Sequence, residues 1–120
     1  MKPSIRKVDL SSEYFFNEGC FITELSNSAE DSQLSIARAR VKTGVTTKWH
    51  YLLGVTERYI ILQGTGKVEV GELEPQLVNT GDVVLIPPEV RQRISNVGED
   101  DLIFLALCTP RFEESIYVSM

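Results

Sequence analysis

One histidine serves the whole chain, and it stands seven residues ahead of a glutamate: His50 and Glu57. An imidazole nitrogen and a carboxylate oxygen together suit a divalent transition metal such as Zn, Fe, Ni or Mn. The carboxamide of Gln92 offers a weaker, neutral third oxygen to the same kind of site. Tyr59, two residues beyond Glu57, carries a hydroxyl that binds a ligand or is satisfied within a core. Lys48, two residues before His50, meets an anionic ligand group or stays on a solvated rim. Cys20 and Cys108 have no metal-type spacing and read as reduced thiols acting as small apolar side chains. Cys108 has no second histidine to activate it, so it reads as packing and not as a nucleophile.

The elements that must position these groups are strands. From 33 to 42 the apolar Ala37, Ala39 and Val41 alternate with Arg38, Arg40 and Lys42, giving one dry face and one charged face. Short runs of the same kind cover 47–52, 57–63, 67–70, 76–78, 83–86, 90–95 and 102–108. Turn residues separate them, including Thr43-Gly44, Gly64-Thr65-Gly66 and Pro87-Pro88. This pattern predicts an all-β sandwich or barrel. Two further strands are expected over 4–10 and 20–25, with the aromatic cluster Tyr14-Phe15-Phe16 between them as core, barrel-end cover or ligand lid. The tail from 111 to 120 reads as one helical turn or a short edge strand.

Side chains alternate faces along a strand. If His50 points inward, Lys48 and Leu52 do too, while Trp49 and Tyr51 point out. If Glu57 points inward, so do Tyr59, Ile61 and Gln63. Arg91 and Arg93 mark the wet face of their strand, which sends Gln92 inward with Val90 and Ile94. The interior of a small barrel is just wide enough for side chains or one small ligand, so His50, Glu57 and Gln92 can meet there.

The chain has 120 residues, enough for one domain with a proper core and too few for two. Twelve basic against seventeen acidic residues give a net charge of −5, which argues against nucleic acid or an anionic membrane as partner. No apolar run follows the start Met1-Lys2-Pro3, and the longest such run, 102–108, is too short to span a bilayer. A cytoplasmic location is expected on those grounds.

From Gly44 onward the spacing resembles the two signature motifs of cupins. The first is glycine, five residues, His-x-His, three or four residues, glutamate, six residues and glycine; Gly44, His50, Glu57 and Gly64 fall in that frame, with Leu52 at the second histidine position. The second is glycine, five residues, Pro-x-Gly, two residues, histidine, three residues and asparagine; Gly81, Pro87 and Asn96 fit, with Glu89 at the glycine and Gln92 at the histidine. The resemblance implies a single domain over 1–120, with motif 1 at 44–64 and motif 2 at 81–96. Its fold would be a double-stranded β-helix, a jelly-roll barrel. It also implies a site in which His50, Glu57 and, by position, Gln92 would ligate a divalent metal.

Two readings of that trio stand side by side. One is a weakly held metal, because two of the family's histidines are replaced. The other is a metal-free hydrogen-bonded cluster in which Glu57 accepts from His50 or Gln92. The expected function is binding of a small polar or anionic molecule in the interior pocket, with His50, Glu57, Tyr59, Gln92 and Lys48 as contacts. The alternative is a metal-dependent enzyme of dioxygenase, decarboxylase or sugar-isomerase type acting on a small metabolite. Trp49, Tyr51, Ile60 and Leu62 face outward and are too apolar for open water. With the family habit of pairing through a sheet face, this predicts a homodimer.

Overall fold

Alternating runs become strands wherever a partner lies beside them, and here two sheets supply the partners. The structure is a computed structural model describing residues 1–120. The larger sheet runs β1 (Tyr14–Phe16), β2 (Cys20–Ser26), β3 (Ser35–Val41), β10 (Leu102–Thr109), β5 (Thr56–Gln63) and β8 (Val83–Ile86). The smaller runs β11 (Tyr117–Ser119), β4 (His50–Leu52), β9 (Gln92–Asn96), β6 (Gly66–Val70) and β7 (Gln76–Val78). Every pairing is antiparallel. From β3 onward the chain changes sheet at every step except β6 to β7, which is the winding of a double-stranded β-helix.

The space between the sheets holds the inward faces. Val41, Ile61, Ile86, Ile94 and Leu102 are all 2% exposed or less and form the centre of the main apolar cluster. Arg38 and Arg40 point the other way from β3 and pair with Glu13, as their alternation with alanine predicts. A glycine is required at Gly64 between β5 and β6, because its φ is +90° and a Cβ there would stand 3.0 Å from the Asp101 carbonyl oxygen.

Several expectations need correction. Residues 4–10 form no strand, because the larger sheet ends at β1 and nothing pairs with them. The aromatic cluster 14–16 is itself that edge strand. Gln63 is exposed, because the β10–β5 register slips between Ile103 and Phe104 and breaks the alternation at the strand end. Trp49 does point outward but is not left to water: the guanidinium carbons of Arg91 and Arg93 lie 4.5 Å and 4.4 Å from its ring centre. The tail holds both of its proposed elements, a 3₁₀ turn at Glu114–Ile116 and then β11.

Candidate functional site: a carboxylate-rich pocket in the barrel

His50 and Gln92 are directly opposite each other in the β4–β9 pair, so the smaller sheet presents imidazole and carboxamide side by side. Glu57 and Tyr59 rise from β5 of the larger sheet to meet them. Gln92 Nε2 donates to Glu57 Oε1 at 2.7 Å, and the Tyr59 hydroxyl donates to Gln92 Oε1. The two bonds join the sheets across the interior and use both ends of the carboxamide. Cys108 lies opposite Glu57 in the β10–β5 register, with its thiol 3.7 Å from Glu57 Oε2.

His50 turns to a different acid. Its Nδ1 faces the Lys48 carbonyl oxygen at 2.8 Å, and that oxygen can only accept, so Nδ1 carries a hydrogen. Its Nε2 lies 3.1 Å from Glu18 Oε2. Glu18 belongs to the turn joining β1 and β2, whose Glu18 carbonyl accepts from Lys48 N–H at 2.8 Å and so docks the turn beside β4. Tyr117 of β11 stacks on the imidazole with ring centres 4.9 Å apart.

Burial, and next the charge of Glu18, push the Glu57 carboxyl up to about 7, although the Gln92 and Cys108 hydrogen bonds pull it down. The Tyr59 phenol is pushed well up by burial, and the thiols of Cys20 and Cys108 rise for the same first reason. Burial also raises Glu24, which accepts from the Tyr14 hydroxyl at 3.3 Å.

These groups surround one pocket lined by seventeen residues, twelve of them hydrophobic, including His50, Glu57, Tyr59, Leu52 and Cys108. About 60 Å³ is free for the centres of water-sized molecules, well above the ~10–15 Å³ a cavity needs to hold one water. Gln92 is fully buried behind the wall and positions Tyr59 and Glu57 without lining the space. Lys48 is the sequence-derived contact that the structure moves away. Its side chain is exposed and outside the lining, because β4 begins only at His50 and the alternation does not extend upstream to it. It enters the site through its backbone carbonyl.

Glu18 and Glu24 are the lining residues that sequence reasoning missed. Glu18 lies in a turn thirty-two positions before His50, and no periodicity reports a turn residue's direction. Glu24 lies on β2 beside a register irregularity, which disturbs the alternation that would have assigned its face.

The residues present do not fit a divalent metal. Such an ion needs three or four lone pairs converging on one point. Nε2 of His50 is committed to Glu18, and Leu52 at the second histidine position packs with Val55 and Cys108. The Gln92 carboxamide is held by Tyr59 at its oxygen and by Glu57 at its nitrogen, and no group of three His, Cys, Asp or Glu side chains is arranged to hold a metal. Of the trio, Gln92 and Glu57 are hydrogen-bonded, with Gln92 as the donor.

Residues 37–108 match the family model described as "Cupin domain". An uncharacterized protein of Methanocaldococcus jannaschii is 31% identical over 114 residues, covering 93% of this chain and 90% of its own. Among solved structures, KdgF from Halomonas sp. superposes with a TM-score of 0.82 at 16% identity, over 95% of this chain and 99% of that one. The Streptomyces nucleoside dehydratase Pac13 superposes with a TM-score of 0.78 at 16% identity, over 98% and 92%. At such identities the structural likeness shows the fold. No helix is long and apolar enough to cross a membrane.

Proposed function

This chain belongs to the cupin family, and from that premise we propose that it binds a small polar molecule in the pocket between His50, Glu57 and Tyr59 without a metal. The observation that carries the reading is the His50–Glu18 contact. It takes the one imidazole nitrogen a metal would use and leaves a mostly apolar cavity with a few placed polar groups, the usual form of a small-ligand site. The donor set therefore gives no support to dioxygenase, decarboxylase or sugar-isomerase chemistry routed through a metal.

The test is elemental analysis of protein purified without a metal-affinity tag, alongside His50→Ala. The expected result is far less than one transition metal per chain in both. Near-stoichiometric metal in the parent, lost in His50→Ala, would overturn the reading.

A second reading, an acid–base enzyme, is favoured by one observation. Glu57, pushed up to about 7, and the His50–Glu18 pair face the same cavity, and a carboxyl poised near neutral pH both gives and takes protons. Proton transfer on a bound molecule, as elimination of water requires, would suit this arrangement. The structural likeness to a nucleoside dehydratase agrees with it by fold analogy alone.

We also propose that the chain forms a homodimer through the outer face of the larger sheet. Val83, Ile60 and Leu105 stand opposite one another across β8, β5 and β10, and Val83, Leu85 and Leu62 are 63%, 60% and 45% exposed. A second copy would cover that strip. Light scattering that returns the monomer mass at micromolar concentration would sink this.

A further inference from the structure

Three of the residues lining the pocket are glutamates, Glu18, Glu24 and Glu57, and none is lysine or arginine. The only basic group is His50, and its outward nitrogen is matched by Glu18. That leaves Glu24 at the aromatic rim and Glu57 in the interior without a cation. Glu57 is 9% exposed, and its Oε2 has only a thiol at 3.7 Å for company. A buried carboxylate without a positive partner is costly, and nothing within the chain supplies one here.

The walls point the same way by a different chemistry. Six of the seventeen lining residues are Phe or Tyr. The Phe16 ring is almost perpendicular to that of Phe112 (81°) and to that of Tyr117 (88°), so the rings stand as adjoining walls. Aromatic faces attract ammonium groups through the ring quadrupole, most strongly where water is excluded. An anion would meet three carboxyls and ring faces that repel it. Above about pH 7, where Glu57 is ionised, a neutral polar ligand would leave its charge uncompensated.

Resting on the reading of this cavity as a ligand site, we infer that its ligand is a small organic cation, an alkylammonium compound whose charged nitrogen faces Glu57 and whose alkyl groups lie against the aromatic walls. The small free space, about 60 Å³ for the centres of water-sized molecules, favours a compact ligand. Glu18 has the His50 ring at 3.1 Å as its own partner.

The experiment compares three probes of similar shape on the full chain at about pH 8, by calorimetry and by NMR of the pocket aromatics. The probes are tert-butylammonium, tert-butanol and pivalate. The ammonium compound is expected to bind about tenfold more tightly than the alcohol, and pivalate more weakly than either. Its affinity should fall as pH drops to about 5.5, where Glu57 takes up a proton. Glu57→Gln should bring the ammonium and alcohol affinities to within about threefold of each other. Glu24→Gln, at an exposed position, provides the same comparison should Glu57→Gln fail to fold, with a smaller loss expected. If the alcohol or pivalate binds as well as the ammonium compound, or if both variants keep the parent's preference, the cation inference is overturned while the pocket reading stands. If none of the three perturbs the pocket resonances, both fall.

Discussion

Three strands each cross from a dry end of the barrel to a wet one. β5 passes from Ile61 to Tyr59 and Glu57, β9 from Ile94 to Gln92, and β10 from Leu102 to Cys108 beside Glu57. The dry end is aliphatic and closed, with Ile61, Ile94 and Leu102 at 1% exposure or less. At the wet end the same inward direction carries a carboxyl, a carboxamide, a phenol and an imidazole; the first three bond to one another in a fixed order of donors and acceptors, and the imidazole pairs with Glu18 from a turn. One alternating pattern thus builds two regions with different physics. Stability at the dry end scales with the volume filled. At the wet end it depends on partners and on pH.

The largest effect is expected where filling matters most. Leu102→Ala should lower the unfolding free energy by about 2–5 kcal/mol, since a fully buried leucine in a closed core leaves a cavity behind. Chemical denaturation would read this as a lower midpoint with no change in its dependence on pH. A loss below about 1 kcal/mol would mean that the dry end can collapse and is not the rigid half.

The wet end should respond to pH instead. Glu57 binds its proton more tightly folded than unfolded, so its contribution to stability is full below about pH 4.5 and is lost as pH rises through about 7. The loss is on the order of 3 kcal/mol, because each tenfold gain in proton affinity on folding is worth about 1.4 kcal/mol. Glu57→Gln cannot titrate there. The stability difference between parent and variant should therefore move in the variant's favour between those pH values. A difference that stays flat across that window would remove the distinction between the two ends.

The smallest effect lies at the rim. Glu89 adopts φ 63°, the left-handed region, at the position where the cupin motif has glycine. Its carboxylate accepts from Gly54 N–H at 2.8 Å, and its own N–H donates to the Leu52 carbonyl at 2.9 Å, tying two turns together beside the pocket strand. Glu89→Gly loses the side-chain bond and relieves the backbone, whereas Glu89→Ala loses the bond and keeps the strain. The alanine variant should melt lower than the glycine variant, by the equivalent of about 1 kcal/mol. Equal melting temperatures would show that this turn carries no strain.

Much of this was legible in the chain itself. The alternation in 33–42 and 90–95 assigned the faces of Ala39, Val41 and Gln92 correctly, and the Gly44–Gly64 and Gly81–Asn96 spacings placed the turns. Alternation misled where no ladder enforced it. Lys48 stands just outside β4, and Gln63 lies past a register slip. Glu18 shows the limit most clearly, since its partner His50 is remote in sequence and the contact exists only because one turn docks on a distant strand.

Period-two burial is a local property that each strand carries with it, so the amino-acid order was enough to specify an all-β fold and to turn Gln92 inward, while the inward turn of His50 and Glu57 was what the cupin resemblance implied. What those groups do was left to the packing of the strands and turns around them. Packing paired His50 with Glu18, gave Gln92 to Glu57 and Tyr59, sent Lys48 to solvent and brought three carboxyls to one cavity. A side chain's charge state and free lone pairs are set by neighbours from other strands and turns, and those neighbours meet only when the whole barrel has closed.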